Sequence, residues 1–196
     1  EPPIINVSGG ITNVTASNDG INATYGTVSG GTEQNDNSQF NVSGGIIIVA
    51  GSDAVDSNGN ITVTGGYLIA SGPTSQPEEA IDFNGSFNIN GGTVIAGGSN
   101  ASMTKAASTT STQVNMFLKS SSALASTSLI HIETSTGTEI VTFKPKNNSY
   151  YFHVSNPTVA KNTQYKVYFG GSYTGGSYVG GSTGWGLYTS GTYSTT

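Results

Sequence analysis

Asn41-Val-Ser-Gly-Gly-Ile-Ile-Ile-Val49 is the stretch on which the fold turns. It reads as a short strand, a Gly-Gly pair and a second short strand rich in β-branched residues, which suit a pleated surface. Three further copies stand beside it: Asn6-Val-Ser-Gly-Gly-Ile-Thr-Asn-Val14, Ile61-Thr-Val-Thr-Gly-Gly-Tyr-Leu-Ile69 and Asn88-Ile-Asn-Gly-Gly-Thr-Val-Ile-Ala96. A weaker copy is Thr27-Val-Ser-Gly-Gly31. The Gly-Gly pairs begin at 9, 30, 44, 65 and 91, a period near 21 residues with insertions. A repeat of that size means stacked units, none of which can bury its apolar face alone.

A second motif follows the strand pairs: Asp19-Gly-Ile-Asn22, Asp53-Ala-Val-Asp56 and Glu79-Ala-Ile-Asp82. Asn-Gly pairs come next, in Ser57-Asn-Gly-Asn60 and Phe83-Asn-Gly-Ser86, and supply the positive-φ positions of tight turns. One unit is therefore three short strands and three corners, which describes a coil of a right-handed parallel β-helix, a solenoid whose strands stack ~4.8 Å apart. Ile46, Ile48, Val55, Ile61, Val63, Ile69, Ile81 and Ile89 are expected to point inward. The glycines let the chain turn where a Cβ would clash.

Composition agrees with an all-β chain. Gly, Ser, Thr and Asn make up about half of the 196 residues, and charged residues only 9%, which is unlike the Leu/Ala/Glu/Lys-rich make-up of helical bundles. Cysteine is absent, so there is no disulfide framework. Arginine is absent as well, and the net charge is −5, which argues against nucleic acid as a partner. No apolar run is long enough to span a membrane. The opening Glu1-Pro-Pro3, with no signal peptide ahead of it, suits a processed mature terminus or an artificially trimmed chain. Residues 1–100 hold nine acids and no Lys, and residues 101–196 hold two acids and all six Lys. This divides the chain into a repeat region, 1–105, and a C-terminal strand region, 106–196, which continues or caps the solenoid.

Stacked in register, Asp19, Asp53 and Glu79 form one column and Asn22, Asp56 and Asp82 another. Like charges one rung apart repel, and a cation would neutralise them. Ca²⁺ suits such a set because it takes six to eight oxygen ligands. The competing reading is a hydrated acidic edge that blocks lateral strand addition. No catalytic residue is assigned. Every Lys lies at or beyond Lys105, away from the acidic columns in sequence, and His131 and His153 read as solvent-facing strand residues. No nucleophile elbow precedes a helix.

The second half reads as strands over 113–118, 129–134, 139–143, 150–154, 164–169 and 186–189, separated by turn signals at Gly137, Pro145 and Pro157. Its Gly-rich tail carries Tyr173, Tyr178, Trp185 and Tyr188. These are candidates for stacking on sugar rings, or else they cover the apolar face of a final hairpin.

The Gly-Gly strands, with Asp53-Ala-Val-Asp-Ser-Asn-Gly-Asn60 and Glu79-Ala-Ile-Asp-Phe-Asn-Gly85, resemble the clostridial carbohydrate-binding-domain proteins. The resemblance covers 6–105, and more weakly 106–196, through Ser155-Asn-Pro157 and the Tyr165–Gly171 strand. It implies a right-handed parallel β-helix, similar in fold to pectate lyases, that binds cellulose and acidic, pectin-like sugars and carries calcium. A secreted, non-catalytic polysaccharide-binding protein, extracellular or on a bacterial cell surface, is the expectation. An extracellular fibre subunit, or less favoured a lyase-like enzyme, is the alternative. For the fibre, solenoid ends are open and the two halves carry opposite charge. Ile4, Ile5, Asn6 and Val7 could lie as a strand in a neighbour's groove, or both termini could pack on their own subunit.

Overall fold

Four strands of 12 residues carry the repeat: β1 (Ile4–Thr15), β3 (Gln39–Ala50), β5 (Asn60–Ser71) and β7 (Phe87–Gly98). A computed structural model describes residues 1–26, 34–75, 77–99, 104–182 and 184–196. The weaker copy at 27–31 lies outside these. The four strands pair side by side and parallel, β1-β3-β5-β7, with the Gly-Gly motifs in step. In each the second glycine has a left-handed backbone, φ +77 to +80 at Gly10 and Gly45, a conformation that costs glycine little. In β3, β5 and β7 the first glycine is needed for space: a Cβ on Gly44 would lie 2.6 Å from the Ser8 carbonyl oxygen, and one on Gly65 2.5 Å from that of Ser43.

The left-handed glycine also shifts the in–out alternation by one residue. Phe40 and Val42 face the inner core before the corner, and Ile47 and Val49 face it afterwards. Ile46, Ile48 and Ile69 therefore point outward, into a second core, and not inward as simple alternation predicts. Val55, Ile61, Val63, Ile81 and Ile89 do face inward. Both faces of 46–49 are thus covered, which accounts for their unbroken apolar character.

Three short strands, β2 (Ile21–Ala23), β4 (Val55–Ser57) and β6 (Ile81–Phe83), form a separate parallel sheet across the inner core. They carry the acidic motif.

The second half contributes to two sheets. β11 (Ser149–Ser155) pairs antiparallel with β7, and β8 (Met116–Leu124) pairs antiparallel with β11, so the large sheet is mixed. Residues 108–113 run along the first half of β7, through Ser108 N–H to the Phe87 carbonyl and Gln113 N–H to that of Ile89. An antiparallel sheet of order β12-β9-β10-β14-β13 lies over the outward apolar face. Its strands are β9 (Ile130–Thr134), β10 (Glu139–Lys144), β12 (Tyr165–Phe169), β13 (Ser172–Tyr178) and β14 (Gly186–Ser194). The sequence pattern points to all of these but β13, whose Tyr-Thr-Gly-Gly-Ser-Tyr run lacks apolar alternation. Ile130, Ile132, Val141, Phe143 and Leu187 meet Ile48, Ile69 and Ile95 in the second core. The chain is all-β, and no helix among the described residues is long and apolar enough to cross a membrane.

Candidate functional site

β2, β4 and β6 place Asn22, Asp56 and Asp82 directly opposite one another. Two residues earlier, Gly20 N–H donates to the Asp53 carbonyl (2.8 Å) and Ala54 N–H to that of Glu79 (3.3 Å), which stacks Asp19, Asp53 and Glu79 at the same spacing. Both columns thus exist in the fold. On the outermost rung the Asn22 amide donates to Asp19 (2.7 Å) and to Asp56 (2.9 Å), an amide doing the work of a cation.

The inner rungs are different. Asp53, Glu79 and Asp82 are 6%, 1% and 4% exposed. Asp53 accepts the main-chain N–H of Glu79. Asp82 accepts the N–H of Phe83 at 2.7 Å and lies 3.7 Å from the Lys105 ammonium. Lys105, distant from the columns in sequence, is therefore against one of them, with its Nζ 4.5 Å above the Phe83 ring. Neither carboxylate oxygen of Glu79 has a hydrogen-bond partner in good geometry; the buried Thr104 hydroxyl, itself otherwise unpartnered, is close enough to oppose the rise in its pKa. Burial pushes the Glu79 carboxyl up to about 7, with the Asp82 charge adding and Lys105 opposing. Burial likewise raises Asp53, reinforced by Glu78 and Asp82 and opposed by the Glu79 N–H.

A buried carboxylate without a donor is costly, and a cation is one way to relieve it. Among the described residues no three His, Asp or Glu side chains converge in metal-binding geometry. A Ca²⁺ here would need main-chain and amide oxygens to complete its shell, which hard oxygen-seeking cations accept. The donor set, oxygen-only and anionic, fits calcium and not a thiophilic metal.

A second region lies on the antiparallel sheet. The β13–β14 hairpin sets Tyr173 opposite Tyr193 and Tyr178 opposite Tyr188. The rings of Tyr173, Tyr188 and Tyr178 follow one another at 4.4 and 4.3 Å, and the Tyr178 and Tyr188 hydroxyls are 2.7 Å apart. All three are half-buried, each keeping part of its surface open. The strip leads into a groove of about 190 Å³ between the two sheets, lined by Tyr188, Glu139, Tyr67, Thr93 and Asn156. Trp185 is not part of it. At 9% exposed it packs in the second core, with the Lys146 ammonium 6.0 Å above its ring, so its face is closed to a sugar. No family model matches this sequence, no curated protein matches it, and no solved structure matches its fold.

The two histidines, expected at the surface, are buried: His131 is 3% and His153 0% exposed. His131 Nδ1 lies 2.6 Å from the Thr142 hydroxyl, and Nε2 lies 3.4 Å from Glu133. The Tyr193 ring stacks on the imidazole at 3.9 Å and 7°. Glu133 also accepts from Lys166 (3.1 Å) and Tyr168 (3.2 Å), and Glu139 from Thr142 (2.8 Å) and Tyr173 (3.3 Å). This network ties the final hairpin to β9 and β10. His153 stacks on Phe117 at 4.6 Å and accepts no charge: burial, then Lys119, brings it down to about 3. The alternation Leu129-Ile-His-Ile-Glu133 does put His131 and Glu133 on one face, but only the packing of β14 covers that face.

Ile4, Ile5, Asn6 and Val7 pair within their own chain, with Gln39, Phe40, Asn41 and Val42. Their strand, β1, is the outermost of the large sheet.

Proposed function

We propose that this chain is a secreted, extracellular, non-catalytic polysaccharide-binding protein. In this reading the strands β1 to β7 of the repeat region form coils of a right-handed parallel β-helix, with calcium held at its acidic turns. The observation that carries the reading is the Tyr173–Tyr188–Tyr178 strip running into a polar groove between two sheets. Sugar rings present apolar C–H faces that stack on tyrosine, while Asn156, Thr93 and Glu139 offer hydroxyl partners at the rim. The parallel pairing of both repeat-bearing sheets supports the β-helix.

The chemistry favours a neutral glucan such as cellulose over an acidic, pectin-like chain. The protein has no Arg and a net charge of −5, and the groove holds Glu139. An acidic sugar would need calcium between the two sets of carboxylates. Calcium would be held at the Glu79 carboxylate with at most one neighbouring column acid, main-chain and amide oxygens completing its shell, and its role would be to neutralise the buried charge. A hydrolytic mechanism would need two carboxylates facing one open cleft. Here Asp53, Glu79 and Asp82, on β6 or just ahead of β4 and β6, are buried, and Glu133 and Glu139 are engaged in the hairpin network.

The test is sedimentation with microcrystalline cellulose and with pectin, in calcium and in chelator. Parent protein should bind cellulose, and Tyr188→Ala should bind at least roughly tenfold more weakly, the loss of one stacking partner. Equal binding by the two proteins overturns the reading.

A further inference from the structure

The large sheet ends on β1 at one side and β8 at the other, and among the described residues each is paired along one edge only. β8 is antiparallel to β11, and β11 to β7, so β8 runs in the same direction as β1. The two free edges of one sheet are thus aligned for translation.

The β1 end is unfinished. Ile5, Val7 and Val14 are only partly buried against the inner core, whereas their neighbours one strand in, Phe40, Val42 and Val49, are 0–1% exposed. Ile4 and Ile11 are 56% and 63% exposed. Gly9 is the clearest sign. Its counterparts Gly44, Gly65 and Gly91 each lie against the carbonyl of the preceding strand, but a Cβ on Gly9 would meet nothing within 4 Å. Among the described residues of a single chain, no steric reason calls for glycine there.

We infer that copies of this chain associate head to tail, with β1 of one copy adding in parallel to β8 of the next. The pairings set the register. Met116 is level with Ile95 through Val154, and Ile95 with Asn13 through Ile69 and Ile48. On that register Phe117 aligns with Val14, both against the inner core, and Met116 aligns with Asn13 on the opposite face. Alternation is preserved, as strand pairing over a core requires. Charge agrees: Lys105 and Lys119 stand toward the β8 end, while Glu1 and Asp19 stand toward the β1 end. Such a contact joins unlike surfaces and does not close, so it builds an open filament. It leaves residues 4–7 in their own sheet and uses their outer edge. It does not depend on sugar binding.

Light scattering and electron microscopy over a concentration series, with and without calcium, test this. The parent should form filaments, and Gly9→Val should melt at the parent's temperature yet associate at least roughly a hundredfold more weakly. The chain has no cysteine, so Asn13→Cys and Met116→Cys can be mixed under oxidation. Cα atoms about 4.8 Å apart across a strand pair fall within the roughly 4.4–6.8 Å span of a disulfide, so mixed dimers should form, and neither variant should cross-link alone. A parent that stays monomeric, a Gly9→Val that still assembles, or cross-linking within Asn13→Cys alone would each overturn the inference.

Discussion

The main-chain N–H of Glu79 donates to the carboxylate of Asp53, the acid one rung along its own column. One buried acid is thereby partly satisfied, while the Glu79 carboxylate, 1% exposed, receives no hydrogen bond. The three rungs are served differently: Asp19 accepts from the Asn22 amide and the Ser52 hydroxyl, Asp53 from the Glu79 backbone, and Glu79, on the last rung, is left for something else to neutralise.

That arrangement fixes the sign of a pH effect. Glu79 has a folded pKa of about 7 against an ordinary 4.5. Its contribution to stability is full below the unfolded pKa and is lost as pH rises through about 7. His153, lowered from 6.5 to about 3, pulls the other way: its contribution is present above 6.5 and lost as pH falls toward 3. The two overlap, so the difference between parent and variant is what should be read. In chelator, Glu79→Gln should gain on the parent steadily from pH 4.5 to pH 7, as followed by thermal melting. With excess calcium the parent should recover, since a ligand bound only by the folded state stabilises it, and the variant should recover less. A parent–variant difference that is flat with pH, or a parent indifferent to calcium, counts against a cation at this column.

Gly65→Val should be destabilising. Its Cβ would lie 2.5 Å from the Ser43 carbonyl oxygen, and backbone cannot swing aside as a side chain can. Overpacking of this kind costs about 1–3 kcal/mol or more. Urea denaturation of Gly65→Val beside Gly9→Val measures the contrast, with the second expected to match the parent.

Tyr188→Ala and Trp185→Ala should separate. Tyr188 is half-buried and belongs to the aromatic strip, so its loss should fall on sugar binding. Trp185 is in the second core, and removing a buried aromatic costs about 3–5 kcal/mol. Trp185→Ala, assayed below its melting temperature, should retain cellulose binding. Calorimetry and sedimentation on the same samples decide this.

His131→Ala should loosen the last hairpin. It removes the ring on which Tyr193 stacks and leaves the Thr142 hydroxyl and Glu133 each short of a partner, at a cost of about 1–3 kcal/mol. Amide exchange should accelerate over 186–194 and remain slow in the buried strands β5 and β7. Uniform acceleration across the chain would mean that the network holds more than the hairpin.

By itself, the sequence determined the repeat and its consequences. A Gly-Gly pair recurring between β-branched runs demands stacked strands, because the preceding strand's backbone crowds the first glycine at Gly44, Gly65 and Gly91 and the second is left-handed. The acidic motif keeps the same internal spacing in each copy, acid then Asp or Asn three residues on, and with the rungs in register Asn22, Asp56 and Asp82 line up. What only the tertiary structure decided is which faces are covered. Ile48 and Ile69 point outward because a left-handed glycine resets the alternation, a change of one residue that composition does not reveal. His131 and His153 are buried, and Lys105 meets Asp82, because distant segments fold over them. Local pattern specifies the period of a strand and the turns that bound it. Burial depends on which other surface arrives, and that is set by contacts between residues far apart in the chain.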